Sequence, residues 1–265
     1  MSFIEIEARE MKESYAMSDL QSHTYYELYF LLEGTRNVFF ENKMFIMHEN
    51  SVCVIPPFCM HKTEGGPFKR INLNVSPDLL SANERAFLDG FSKSVAFRLD
   101  ASTFSLVSTL LEEGLSVEPL HAQDKTDKLI AFTKTVLHFL QKNATPILSS
   151  SETETHSKRD VLVLKALSFI NEHYVEEFSL SDLCERFFIS KNRLCKRFAA
   201  AMGCSPMQYR SFVRLNKAKQ LLTTTTRSLE EIAELCGFSS ANYFSLIFKK
   251  EVGLSPAHYR KAKTV

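Results

Sequence analysis

The sequence predicts a two-domain α+β protein. The N-terminal part reads as a small β-barrel or sandwich with helices, and the C-terminal part as an all-α domain carrying two helix-turn-helix units. Three observations lead there. Short strand-like runs rich in Tyr, Phe, Val and Ile fill residues 23–75. Apolar residues at helical spacing dominate the second half. A segment in the last third occurs twice, fifty positions apart. At 265 residues, two domains are the natural count.

The strand region is broken at Glu33-Gly34, Glu41-Asn42 and His48-Glu49-Asn50, residues suited to turns. Alternation puts positions 23, 25 and 27 on one face of a strand and Tyr26, Leu28 and Phe30 on the other. Residues 101–117 and 124–142 then read as helices, the second with a stripe of Leu129, Phe132, Val136, Phe139 and Leu140. That stripe can pack on the chain's own sheet or on a second copy. Residues 143–157 are polar and poor in bulky apolar side chains, the composition of a flexible linker. The expected division is therefore 1–142, linker 143–157, and 158–265.

In the C-terminal part, Ser179 is placed to cap a helix over Leu180–Phe187, and Ser190 to cap a second helix that stops at Gly203. Ser205-Pro206 opens a third, since proline at the first helical turn lacks only a hydrogen that the helix does not use there. The second copy repeats this with Ser228, Leu229–Leu235, a turn at Cys236-Gly237-Phe238, and a helix from Ser240 to Gly253. Ser190 to Arg210 matches Ser240 to Arg260 at eight of 21 positions: Ser190, Asn192, Phe198, Gly203, Ser205, Pro206, Tyr209 and Arg210 all recur. Upstream of the turns the offset is 49, so the second turn is one residue longer. Between the copies, Phe212, Leu215, Ala218 and Leu222 mark one helix of about 27 Å over roughly Pro206–Thr224. A rod of that length can hold two helices near the ~34 Å of one DNA turn.

Charge divides the chain in the same place. From Lys158 onward there are 18 Lys and Arg against 10 Asp and Glu, whereas residues 1–157 hold 14 against 21. A basic C-terminal domain suits a polyanion, because each phosphate contact releases counterions. On the first presented helix Leu194, Phe198 and Ala201 form the buried stripe. Lys191, Asn192, Arg193, Lys196 and Arg197 are left for DNA, with Asn suited to an adenine edge and Lys or Arg to guanine. On the second, Phe244, Phe248 and Glu251 are expected inside. Ser239, Ser240, Asn242, Tyr243, Lys249 and Lys250 are expected to touch DNA, and Leu246 faces outward with no hydrogen-bonding group. The second helix therefore reads as the weaker base reader.

The span of about 160–263, and above all SLEEIAELCGFSSANYFSLIFKKEVGLSPAHYR from Ser228 to Arg260, resembles the DNA-binding domain of the AraC/XylS transcription regulators. The resemblance implies a sequence-specific regulator of promoter DNA, usually an activator, with RNA polymerase as a further partner. Two positions depart from the family pattern: Leu246 stands where relatives often carry a basic residue, and Lys196 where an arginine is common. His23-xxx-Glu27-x6-Gly34 and Pro56-xxxx-His61 are similar to parts of the two cupin motifs. This implies a cupin-like barrel whose mouth holds a small effector near His23, Tyr25, Glu27 and His61; the alternative is that these residues only pack the sheet. In metal cupins His23, Glu27 and His61 would be ligands. The motif's other histidine falls at Gln21 and two of its glycines at Asn50 and Phe58, a degradation common in sensor cupins. The expectation is accordingly no metal and no cofactor. In relatives a helix at 124–142 makes a dimer contact, so a homodimer is expected.

No apolar run of about 18 residues occurs and the N-terminus has no signal-peptide pattern, so no membrane partner is expected. Cys53, Cys59, Cys184, Cys195, Cys204 and Cys236 form no CxxC pair and suit a reducing, cytoplasmic setting. There is no phosphate-cradling glycine loop and no nucleophile elbow, and the chain reads as a regulator rather than an enzyme. The rival expectation is a metal-dependent cupin enzyme merely tethered by its DNA-binding domain.

Overall fold

The computed structural model describes residues 3–17, 20–40, 43–90, 96–116, 122–146 and 158–263. The N-terminal part contains β1 (Ile4–Met11), β2 (Tyr15–Ala16), β3 (Tyr26–Phe40), β4 (Lys43–His48), β5 (Ser51–Ile55), β6 (His61–Gly65) and β7 (Phe68–Val75). Helix α1 (Ala82–Gly90), β8 (Ala96–Arg98), α2 (Ala101–Leu115), α3 (Ala122–Asn143) and β9 (Thr145–Pro146) follow. Two sheets share the 15-residue β3. Its first half pairs antiparallel with β5 and β7, its second half with β4 and β6. β1 flanks β7, β2 pairs with β6, and β8 and β9 extend the first sheet beyond β5.

The turn expected at Glu33-Gly34 is not there. β3 runs through it with a register shift between Leu31 and Glu33. Gly34 has φ 90°, and a Cβ on it would lie 2.3 Å from the Pro67 carbonyl oxygen. The glycine thus permits close approach of two strands rather than a reversal. The turn at His48-Glu49-Asn50 is present, with Asn50 in the left-handed region at φ 61°. Phe58 is left-handed too, at φ 64°. Glu41-Asn42 and residues 147–157 of the expected linker lie outside the described residues; Thr145 and Pro146, at the linker's start, pair with β8.

β3 starts at Tyr26, so His23 and Tyr25, expected on one strand face with Glu27, precede the strand and reach the cavity from a loop; from Tyr26 onward the alternation holds. Tyr26, Leu28 and Phe30 join Val54, Leu73, Phe104, Val107 and Leu111 in a core beneath α2 and α3. Val136, Leu137 and Leu140 of α3 close that core, and Leu129 is buried as well. Of the α3 stripe, Leu129, Val136 and Leu140 are thus buried in its own domain, while Phe132 and Phe139 are half-buried. On the other face, the fully buried Arg36 donates to Tyr15 O at 2.9 Å and lies 4.3 Å from the Phe68 ring centroid.

The C-terminal part is helical: α4 (Lys158–His173), α5 (Leu180–Arg186), α6 (Lys191–Met202), α7 (Pro206–Thr224), α8 (Leu229–Leu235), α9 (Ala241–Val252) and α10 (Pro256–Lys263). No described helix is long and apolar enough to cross a membrane. Serines 179, 205 and 228 each form a reciprocal capping box, with Asp182, Gln208 and Glu231. Ser240 caps α9, whereas the Ser190 side chain makes no capping bond at α6. Leu194 and Phe198 are buried around α4–α6, and Phe244 and Phe248 around α7–α10. Glu251, expected inside, is exposed, since a lone carboxylate has no partner in an apolar cluster.

Most repeated residues turn out to be scaffolding. Gly203 and Gly253 end α6 and α9 in the left-handed region, at φ 77° and 83°. Arg210 donates to the carbonyls of Tyr174, Glu176 and Phe178. Arg260 does the same for Leu222 and Arg227. Each arginine ties the segment before one helix pair to the helix after it.

The two turns also match. Ile189 N donates to Cys184 O at 3.0 Å, and Phe238 N to Ala233 O at 2.8 Å, which forces a left-handed residue between each pair of helices. The second copy uses Gly237 at φ 76° and the first uses Phe188 at φ 50°. A Cβ on Gly237 would lie 2.4 Å from Val175 O, whereas Phe188 is 97% exposed. We expect Phe188→Gly to stabilise the protein by about 1 kcal/mol, the left-handed penalty of an L-residue. Gly237→Ala should cost more than about 2 kcal/mol, strain and collision together. Chemical denaturation of both variants measures this; equal effects would mean the two turns are not equivalent.

Candidate functional site

On α6, Lys191, Asn192, Arg193 and Lys196 are exposed and Arg197 half-buried, opposite the buried Leu194 and Phe198. On α9, Asn242, Tyr243, Lys249 and Lys250 are exposed opposite Phe244 and Phe248, with Ser239 and Ser240 exposed at its start. Leu246 is 67% exposed in the middle of that face. The residues expected to meet DNA are thus brought onto the outer sides of two helices, each second in its pair. Among the described residues, Lys191, Arg193, Lys196, Arg197 and Lys249 take part in no ion pair, while Lys250 lies 3.9 Å from Glu251. Cations left unpaired on a convex helical face are free to meet phosphate.

The expected effector residues also come together. His23, Tyr25, Glu27 and His61 line a polar cavity of about 300 Å³ between the two sheets. The rings of His23 and Tyr25 stack with centroids 4.1 Å apart. Glu27 Oε2 lies 3.0 Å from His23 Nε2 and 3.6 Å from His61 Nε2. Burial pushes the Glu27 carboxyl upward, but the hydrogen bond from His23 and the neighbouring His61 and Arg70 outweigh it and hold the pKa at about 2. Burial lowers that of His61. The group able to hold a metal ion among the described residues is His23, Glu27 and His61, whose ligating atoms all lie within 4.8 Å of one another.

Sequence reasoning missed the far wall of this cavity. Arg70, Asn72 and Asn74 of β7 line it, and Asn72 Nδ2 donates to Glu27 Oε1 at 2.5 Å. Arg70 Nη1, Asn72 Oδ1 and Asn74 Oδ1 are buried without a hydrogen bond among the described residues. Buried polar atoms normally find partners, so this wall is shaped for something polar. The signal was present as a polar residue at every second position in Arg70-Ile-Asn-Leu-Asn74.

The cavity strands also touch the helical part. Phe39 of β3 is buried among Val163, Leu167 and Phe198. Ser22 Oγ donates to Asn216 Oδ1 of α7 at 2.7 Å. The buried Lys62 donates from Nζ to Ala201 O at 3.3 Å, in the last turn of α6. His61 and Lys62 are consecutive in β6, so one faces the cavity and the other the end of α6.

A helix-turn-helix domain family matches residues 183–262, from within α5 to α10. The HTH-type transcriptional regulator YisR of Bacillus subtilis (strain 168) is 34% identical over 51% of this chain. The match covers only 44% of YisR, so the chain spans less than half of that relative's length. The HTH-type transcriptional activator RhaS of Enterobacter sp. (strain 638) is 25% identical over 91% of this chain and 87% of its own. Among solved structures, the DNA-binding domain of AdpA in complex with a target DNA is 32% identical. It covers 38% of this chain and 90% of its own, with a TM-score of 0.36. Residues 183–262 are thus a helix-turn-helix domain, and the chain is similar to HTH-type transcriptional regulators such as YisR and RhaS.

Proposed function

We propose that α5–α6 and α8–α9 are two helix-turn-helix units that enter successive major grooves of promoter DNA. On this reading, the cupin-like domain, residues 1–142, controls the DNA-binding domain, residues 158–265. The observation that carries the proposal is the pair of exposed Asn and Lys/Arg rows on α6 and α9, each set on the same repeated scaffold. The 19 residues of α7 make about 28 Å of rod between them. Asn192 and Lys196 read base edges, while Leu246 leaves α9 mainly to position the domain on phosphates. The cavity between the sheets takes a small polar effector, supported by the buried Asn72 and Asn74 carbonyl oxygens that make no hydrogen bond and by Arg70, whose Nη1 lies 3.8 Å from Glu27 Oε1 without a hydrogen bond. Contact with RNA polymerase and activation as the sign of control rest on the relative RhaS being named an activator.

Control runs through β6. Lys62 places a cation on the C-terminal end of α6, where helix carbonyls carry partial negative charge. An effector that moves His61 moves Lys62 with it and shifts the balance between two poses of α6.

Two measurements test this. Asn192→Ala with Lys196→Ala should weaken a selected operator by about 30-fold or more, and random DNA by only about threefold. Equal losses on both would remove these residues as base readers. Lys62→Met should lower operator affinity by about fivefold, the equivalent of about 1 kcal/mol, without loss of far-UV helical signal. An unchanged affinity would mean that the barrel does not hold α6 for DNA.

A further inference from the structure

We propose that the outer edge of β1 pairs antiparallel with the β1 edge of a second copy of this chain, with Ala8 on the two-fold axis. β1 ends its side of the first sheet and pairs only with β7. Its eight residues keep one register from Ile4↔Val75 to Met11↔Phe68, with no proline and no bulge. Just before it, Ser76 N donates to Phe3 O at 2.8 Å, so Phe3 and Ser76 form a hydrogen-bonded pair. Bonded and non-bonded pairs alternate along an antiparallel ladder. Glu5, Glu7 and Arg9 therefore turn their backbone groups toward β7, while Ile4, Ile6, Ala8 and Glu10 turn theirs outward. Among the described residues, no partner meets those outward groups. The two faces of β1 are already used. Ile4 and Ile6 pack on the core under α2 and α3, and Glu5, Glu7 and Arg9 line the cavity. The edge alone is left, and an open edge is a template for another strand.

Charge selects the strand that fits. In a two-fold pairing, outward residues must lie opposite outward residues, so the axis falls on a residue. An axis at Glu5, Glu7, Arg9 or Glu10 sets a charge against itself, and one at Ile6 sets Glu5 against Glu7. Like charges directly opposite destabilise a sheet. An axis at Ala8 sets Glu7 of each copy opposite Arg9 of the other, and Ile6 opposite Glu10. Both charged side chains are held in place at the edge. Glu7 Oε1 accepts from Arg70 at 3.2 Å and Asn72 at 3.3 Å, and Arg9 donates to the Tyr15 hydroxyl at 3.3 Å. The bonded pairs Ile6/Glu10, Ala8/Ala8 and Glu10/Ile6 give about six backbone hydrogen bonds. Charges that guard this edge against other registers thus leave one open to a second copy. One sheet then runs through both copies and joins the rims of their two cavities.

The inference does not rest on DNA binding, and none of its readouts involves DNA. Sedimentation velocity of the full chain over a concentration series should show a monomer–dimer equilibrium. Ala8→Pro should weaken the dimer by about tenfold or more, because proline removes the N–H on the axis. It should leave the circular dichroism of the monomer unchanged, since that N–H has no partner within the chain. Arg9→Glu and Glu7→Arg should each weaken pairing by about tenfold or more as well. Mixed together, these two variants should pair with each other about as tightly as the wild type, because opposite charges then face one another at both positions. The charge variants carry the test should Ala8→Pro not fold. A wild-type chain that stays monomeric, a dimer left intact by folded Ala8→Pro, or a mixture no tighter than its components overturns the proposal.

Discussion

One strand holds the molecule together. β3 supplies Leu28 and Phe30 to the core under the helices, Glu27 and Tyr29 to the polar cavity, and Phe39 to the apolar cluster around α6. The three roles follow from length and pleat. Alternate side chains reach opposite faces, and 15 residues at about 3.3 Å each carry the strand from one sheet into the other and on to the helical part. The bulge at Leu31/Glu33, with Gly34 against Pro67, lets β3 change partners without breaking. The cavity and the DNA-facing part therefore share a backbone and not merely a linker.

The helical part was legible because its signals are local. Capping serines, glycines after helices and apolar residues at helical spacing each act within a few positions, and Pro206–Thr224 and Leu229–Leu235 appear with the bounds that these imply. The sheet was legible only as strand content and alternation. Its pairings join residues far apart in sequence, such as Tyr29 with Asn72, and no local signal specifies them. The misread Glu33-Gly34 has the same origin: glycine marks both a chain reversal and a close crossing, and only the partner at Pro67 distinguishes them. For the site, His23, Tyr25 and Glu27 around the first motif and His61 in the second were found, while Arg70, Asn72 and Asn74 were not. Their inward direction depends on which face of β7 meets the cavity.

The repeat also separates what builds a reading helix from what reads. Gly203, Tyr209 and Arg210 and their second copies are committed to helix stops, buried hydroxyls and carbonyl clamps. Among the identical pairs, Asn192 and Asn242 lie exposed on the outer faces. Most identities between the copies thus mark shared scaffolding, Asn192/Asn242 excepted, and the differences at Lys196/Leu246 and Arg193/Tyr243 mark where the two faces can recognise different things.

The unequal turns bear on how the two copies can drift apart. At Phe188 any side chain that tolerates a left-handed backbone is admissible, since nothing surrounds it. At Gly237 the backbone of Val175 leaves no room for even a methyl group. Neutral variation can therefore accumulate at the first turn at the cost of marginal stability alone, whereas the second is closed to it. New side-chain contacts are thus open to the Phe188 turn and closed to the Gly237 turn.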